Sequence, residues 1–227
     1  MVEGHRAIRQ IALLGPGRIK ELVYAEGMEK IAGLPFPVRQ ISRAQFRCLS
    51  LSVHPAGPLA VVSRPDDYEA DDIPAGPGGT VLCLEDVQDP GNVGTLVRSA
   101  AAFNVSGIVF SDKCADVFSP KAVQAACGSL VAMWLRRTSA FQAALESLKK
   151  KGFRIVAADV RGSDAGKNIN KGEKTALVLG SEGAGLSAET LRLADERCRI
   201  PFNDAKAQSL NVAISGAILM FLLNSRP

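Results

Sequence analysis

A chain of 227 residues, 47% hydrophobic and 22% charged, holds enough apolar material for a sizeable core without disulfides or a structural metal. Its two histidines, His5 and His54, lie far apart in sequence, and its five cysteines include no CxxC pair, so zinc centres and Ser-His or Cys-His catalysis are poorly supported. The formal net charge of +4 is uneven: residues 1–64 carry seven Arg and two Lys against four Glu and no Asp, whereas residues 65–227 hold 18 basic and 19 acidic residues. A basic first quarter is compatible with a polyanion contact through Arg forks, and equally with a solvated surface.

The elements divide into two groups. In the first, "EGHRAIRQIALLG" has helical spacing with Ile8, Ile11, Ala12 and Leu13 near one face, and Gly15 follows it. "IKELVYAEG" and "PLAVVSR" read as strands, and "SRAQFRCLSL" as a helix with Ser42 as its N-cap. The stretch "RPDDYEADDIPAGPGG" (64–79) has the Pro, Gly and Asp content of a linker, which divides the chain into a unit at 1–64, a linker at 65–79 and a larger unit at 80–227.

The larger unit alternates. Strands are expected at 80–86, 107–112, 132–138, 153–159, 175–181 and 197–202, and helices at 92–103, 120–129, 139–151, 187–195 and 209–224. Short apolar strands between helices argue for an α/β fold with a parallel sheet covered on both faces. The cysteines (48, 83, 114, 127 and 198) fall mostly in apolar stretches and read as free thiols of a reducing, cytoplasmic protein. The first ten residues are polar, unlike a signal peptide, and the apolar run at 212–223 is short of a bilayer span, so no membrane association is expected.

Ligands of parallel α/β sheets bind beyond the carboxyl ends of the strands. Three segments stand there: 86–98, 180–187 and 200–211. In "DPGNVGTLVR" (89–98), Asn92 is expected to cap the helix, Gly91 and Gly94 permit close backbone approach, and Arg98 follows nearly two turns in. In "LGSEGAGLS" (179–187), glycines 180, 183 and 185 make a loop of open backbone N–H and C=O groups around Glu182, a carboxylate that is costly to bury without donors. In "SLNVA" (209–213), Ser209 and Asn211 open a long apolar helix, where capping alone would explain them. No GxGxxG follows the first strand of this unit, which argues against a dinucleotide enzyme.

Together, in this order and spacing, the three segments resemble the motifs of the SpoU (TrmH) family of RNA 2′-O-ribose methyltransferases, in the SPOUT superfamily. Asp89, Pro90, Asn92, Gly94 and Arg98 match the first motif, "LGSEGAGLS" the second and "IP…SLNVA" the third. "FSPKAVQAACGSL" is similar to the family's connecting segment, and residues 2–63 to the small α/β, ribosomal-protein-like RNA-binding domain of its rRNA-modifying members. Two positions depart from the pattern: Gln208 replaces a common Glu, and Phe103-Asn104 replaces Phe-Gly at the end of the first-motif helix, where Asn tolerates left-handed backbone.

The resemblance implies a deep trefoil knot that forms the pocket for S-adenosylmethionine, a homodimer with the site at its interface, and no metal. It implies cofactor contacts from Leu179, Gly180, Ser181, Gly183, Gly185, Ile200, Pro201, Ser209 and Leu210. It assigns catalysis to Arg98, Asn92, Glu182, Ser209 and Asn211, and RNA contacts to Arg6, Arg9, Arg39 and Arg98. The implied reaction is methylation of a ribose 2′-hydroxyl in RNA. The favoured substrate is 23S-type rRNA; tRNA methylation and a non-catalytic RNA-binding or assembly role are the alternatives. Arg98 is either a base or a clamp on phosphate and developing oxyanion, and the clamp is favoured because a guanidinium is not readily deprotonated in proteins.

Overall fold

In the computed structural model the chain is described at all residues except 51, 53, 54, 56, 71, 75–78, 166–173, 204 and 225–227. The first unit builds a four-stranded sheet from β1 (Val2–Glu3), β2 (Ile19–Ala25), β3 (Val38–Ile41) and β4 (Leu59–Val62), in the order β1-β4-β2-β3. β4 runs antiparallel to β1 and β2, and β2 runs parallel to β3. Helix α1 (His5–Leu14) lays Ala7, Ile8 and Ile11 on one face of the sheet, against Leu22 and Tyr24. Helix α2 (Arg43–Leu49) sets Phe46 on the other face, against Val23 and Ala25. Alternate β2 residues therefore serve two cores, as the two-residue period of a strand requires. The expected Ser42 cap is present as a capping box: Ser42 Oγ accepts from Gln45 N at 3.3 Å, and Gln45 Oε1 accepts from Ser42 N at 3.1 Å. The exposed edge strand β3 and the two-residue β1 escape pattern reading, because both are too short to show alternation.

The larger unit is a six-stranded, wholly parallel sheet. Its strands are β5 (Thr80–Leu84), β6 (Gly107–Ser111), β7 (Trp134–Thr138), β8 (Arg154–Asp164), β9 (Thr175–Leu179) and β10 (Glu196–Arg199), in the order β10-β8-β9-β5-β6-β7. Helices α3 (Pro90–Ala102), α4 (Pro120–Ala126) and α7 (Val212–Asn224) cover one face, and α5 (Phe141–Lys150) and α6 (Ala188–Leu193) the other. Leu82 and Leu84 point into the first layer, Val81 and Cys83 into the second, which explains why the strand reads as an unbroken apolar run. The α/β class and the parallel sheet agree with the sequence reading.

Several expected boundaries move for local reasons. Helix α3 starts at Pro90, and its N-cap is Asp89, whose Oδ1 accepts from Asn92 N at 3.0 Å; Asn92 is not the cap. Pro90 at the first helical position fixes that start. α4 stops at Ala126 because Cys127 turns left-handed at φ 49°. β8 continues to Asp164, β10 ends at Arg199 without reaching 202, and α7 begins at Val212, with Asn211 before it. Asn104 is left-handed at φ 55°, as the Phe103-Asn104 departure anticipated.

The 65–79 stretch does not hang free where it is described. Tyr68 packs edge-on to Phe118 at 4.9 Å, Ile73 is buried, and Asp67 pairs with Arg136 at 2.7 Å; residues 71 and 75–78 of this stretch lie outside the described residues, as does His54. The first unit's core takes in Val123 of α4, with Cys127, Leu130 and Val131 packed beside it, so the two units share an apolar seam.

Candidate functional site

The carboxyl ends of the adjacent strands β5 and β9 carry the two loops that the sequence pointed to. After β9, Ser181 and Gly185 exchange backbone hydrogen bonds at 3.2 and 3.0 Å and close a tight hairpin. Gly180 is required there: a Cβ would stand 2.3 Å from the Gly185 carbonyl carbon. Gly183 and Gly185 have open space around them, Gly185 at φ 70°, so the loop offers bare backbone on its outer side. Glu182 projects from this hairpin.

Asn92, on the first turn of α3, meets that carboxylate. Its Nδ2 donates to Glu182 Oε1 at 2.6 Å, and its Oδ1 accepts from Asn211 Nδ2 at 3.1 Å. Asn211 also caps α7, because its Oδ1 accepts from Ala213 N at 2.9 Å and Ile214 N at 3.3 Å. The cap and the site contact thus use opposite ends of one amide. Residue α7 Gly216 lets that helix lie close to α3 and β9; a Cβ would be 2.4 Å from Leu96 Cδ2 and 2.7 Å from Leu179 Cδ1. Three segments spread over more than a hundred residues therefore converge in one chain of hydrogen bonds, Glu182–Asn92–Asn211.

Beside this chain lies a cavity of about 630 Å³, walled by Leu179 to Leu186, by Ser209, Leu210 and Asn211, and by the middle of β8 at Asp159 to Arg161. Ile200 lines a smaller adjoining cavity of about 110 Å³, shared with Ser209 and Leu210. Pro201 is exposed and belongs to neither wall. Of the expected cofactor residues, Leu179, Gly180, Ser181, Gly183, Gly185, Ser209 and Leu210 thus share one cavity. Asp159 and Arg161 escape sequence reading, since an Asp-Val-Arg run after an apolar strand core carries no signal of its own.

Arg98 lies on the exposed edge of α3 with Thr95 and Ala102, and it makes no hydrogen bond or ion pair among the described residues. Arg6 and Arg9 are exposed on α1, likewise without ion partners among the described residues, whereas Arg39 pairs with Glu21 at 2.9 Å. Asp89 is held by Lys121 at 2.8 Å; that ammonium and the Asn92 N–H keep its carboxyl below the ordinary value. Burial pushes the Cys83, Cys114 and Cys198 thiols up, Cys198 to about 11, so none is a ready nucleophile. Among the described residues no group of three or more His, Cys, Asp or Glu side chains could hold a metal ion, and no helix is long and apolar enough to cross a membrane.

The sequence model of the SpoU rRNA Methylase family matches residues 79–221. The 23S rRNA (guanosine(2553)-2'-O)-methyltransferase RlmP of Bacillus subtilis (strain 168) is 29% identical over 98% of this chain and 87% of its own length. The AdoMet-bound rRNA methyltransferase from Sinorhizobium meliloti superposes with a TM-score of 0.82 at 29% identity, covering 99% of this chain and 86% of that one. The SpoU methyltransferase AviRb from Streptomyces viridochromogenes, in complex with the cofactor AdoMet, gives 0.83 at 26% identity, covering 99% and 88%.

Proposed function

The chain belongs to the SpoU rRNA Methylase family, and we propose that it transfers a methyl group from S-adenosylmethionine to a ribose 2′-hydroxyl of RNA, with 23S-type rRNA as the substrate. The observation that carries this reading is the Glu182–Asn92–Asn211 chain at the rim of the cavity, which joins all three sequence motifs at one point. The likeness to a 23S rRNA 2′-O-methyltransferase runs over 98% of the chain, first unit included, and favours rRNA over tRNA.

The residues fit the cofactor. A cavity of about 630 Å³ is in the range of small-molecule sites, about 300–1,000 Å³, and one wall is bare glycine-loop backbone able to hydrogen-bond a flat base. Leu179, Gly180, Ser181, Gly183, Gly185, Ser209 and Leu210 would hold it, with Ile200 in the adjoining cavity and Pro201 outside both walls. S-adenosylmethionine, when bound, supplies an electrophilic methyl group and needs no metal.

What this chain must supply is alignment of a weakly acidic hydroxyl and stabilisation of the charge that grows on its oxygen. Arg98 does the second: its guanidinium has no internal partner among the described residues and is free to fork onto the neighbouring phosphate and the oxyanion. Asn92, Glu182, Ser209 and Asn211 orient the reacting groups, Asn92 being fixed at both ends of its amide.

Residues 1–64 form the RNA-binding domain, 65–79 the connection and 80–227 the methyltransferase domain. Arg6 and Arg9, exposed and unpaired among the described residues, and Arg39, shared with Glu21, belong to the RNA grip. Ser209 to Asn211, just before α7, share a cavity wall with the glycine loop, and we read the connection between β10 and α7 as the part that forms the trefoil knot. The exposed apolar side chains Ile214 and Phe221 on α7 support a homodimer through that helix. A cytoplasmic setting with no membrane or metal partner fits this substrate.

Mapping of ribose-methylated positions in rRNA and tRNA, from cells with and without the protein, tests the reading. One rRNA position is expected to lose its methyl group. A tRNA change with rRNA intact would move the substrate to tRNA, and no change in either RNA with no S-adenosylmethionine binding would overturn the enzyme.

A further inference from the structure

Glu85 is a buried carboxylate that the proposed chemistry does not use. It stands one residue beyond β5, only 6% exposed, and makes no ion pair among the described residues. Its backbone N–H donates to Leu179 O at 2.9 Å, at the point where β9 enters the glycine loop. Its Oε2 accepts from Ser187 N at 3.0 Å, at the point where the loop leaves into α6. Its Oε1 accepts from Thr190 Oγ1 at 3.0 Å and from Gln142 Nε2 at 3.3 Å. One residue therefore fastens both stems of the hairpin that carries Glu182.

The chemistry of the pair of stems explains a carboxyl group here. Ser187 and Thr190 present an N–H and an O–H from two positions of one helical turn, and the two oxygens of Glu85 accept one each, with Gln142 as a further donor. A buried polar group is costly unless partners surround it, and three do. The same residue lies in the segment that leads through Asp89 into Asn92, so the glycine loop and α3 are positioned from a common anchor.

We propose that Glu85 is a positioning residue that clamps both stems of the glycine loop, setting the affinity of the cavity for S-adenosylmethionine. This rests on the cofactor reading given above. Removing a charged acceptor that serves several donors, as in Glu85→Ala, weakens S-adenosylmethionine binding by about tenfold or more. Glu85→Gln keeps one carbonyl oxygen for Ser187 N–H, and its amide N–H₂ faces Thr190 and Gln142 once the Thr190 hydroxyl rotates and the Gln142 amide flips to accept, so it stays within about threefold of the wild type.

The experiment is calorimetric titration of the full chain with S-adenosylmethionine, with circular dichroism to establish folding, and with RNA affinity measured without cofactor. The expected result is weaker cofactor binding in Glu85→Ala, rescue in Glu85→Gln, and RNA affinity unchanged in both. Loss of methyl transfer should appear mainly in the KM for S-adenosylmethionine and largely recover at saturation. Where Glu85→Ala does not fold, Thr190→Val decides: it deletes one donor at near-constant shape and is expected to weaken binding by about threefold. A folded Glu85→Ala, or in its absence a folded Thr190→Val, with wild-type cofactor affinity overturns the clamp. A wild-type chain that binds no S-adenosylmethionine overturns the cofactor reading, and the clamp falls with it.

Discussion

The Asn92 amide donates to Glu182 Oε1 at 2.6 Å and so bridges helix α3 and the glycine loop, two residues 90 positions apart in the chain. Because Asp89 performs the capping, the Asn92 side chain is free for this contact. Asn92→Asp sets a second carboxylate against Glu182 and removes the donor, so the loop is pushed off. Asn92→Ala only deletes the contact. Both variants should lose methyl transfer by about a hundredfold or more, with Asn92→Asp the weaker cofactor binder of the two. Single-turnover transfer and cofactor titration check this, and equal cofactor affinity in the two variants would count against the contact.

Arg98 has no anchoring partner among the described residues, so its role depends on what it grips. Arg98→Lys keeps the charge but loses the planar fork that engages a phosphate and a developing oxyanion together. We expect methyl transfer to fall by about a hundredfold while cofactor affinity stays near wild type. A lysine variant with near wild-type turnover would show that charge alone suffices.

Much of this site is legible in the residues. The parallel sheet follows from apolar strands alternating with helices, and each of the three glycine- and asparagine-bearing segments stands at a strand end, where parallel sheets bind ligands. What pattern reading misassigned is which of two good capping residues caps: Asp89 and Asn92 both qualify, and only Pro90 between them favours Asp89. Glu85 carries no sequence signal at all. It is one acidic residue after an apolar run, and its partners Gln142, Ser187 and Thr190 lie 57 to 105 positions away. Such a network exists only once β5 and β9 are neighbours.

Asp89 links acid stability to the start of α3. The Lys121 ammonium, then the Asn92 N–H, hold its carboxyl below the ordinary value of 3.8. A depressed folded pKa means the stabilisation is fully present above that ordinary value and is lost as pH falls through the lowered one. Asp89→Asn keeps a capping oxygen and removes the titration. Urea denaturation in a pH series should therefore show a shallower loss of stability below pH 3.8 in the variant than in the wild type; parallel curves would exclude a contribution from Asp89.

The α3–α4 contact leaves no room at Gly94, where a Cβ would come within 2.2 Å of Ala122 O and 2.7 Å of Ala125 Cβ. Alanine is the better helix former by about 1 kcal/mol, yet overpacking against backbone costs more. Gly94→Ala should lose about 2 kcal/mol in chemical denaturation, whereas Gly183→Ala, with open space around it, should be neutral. A stabilised Gly94→Ala would mean that α4 can move away.

On α7, Ile214 is 55% exposed and Phe221 53%, seven residues apart and so on one face of the helix, with the Phe103 ring edge-on to Phe221 at 5.9 Å. Apolar side chains of this size, aligned along a helix, suit a second copy of the same face. Phe221→Asp places a charge in that contact without touching the cavity wall. Sedimentation at micromolar concentration should give a dimer for the wild type and a monomer for the variant, with the fold retained by circular dichroism. Methyl transfer should fall with the dimer, because the proposed homodimer has the site at its interface. A variant that stays dimeric, or a wild type that sediments as a monomer, removes α7 from the interface.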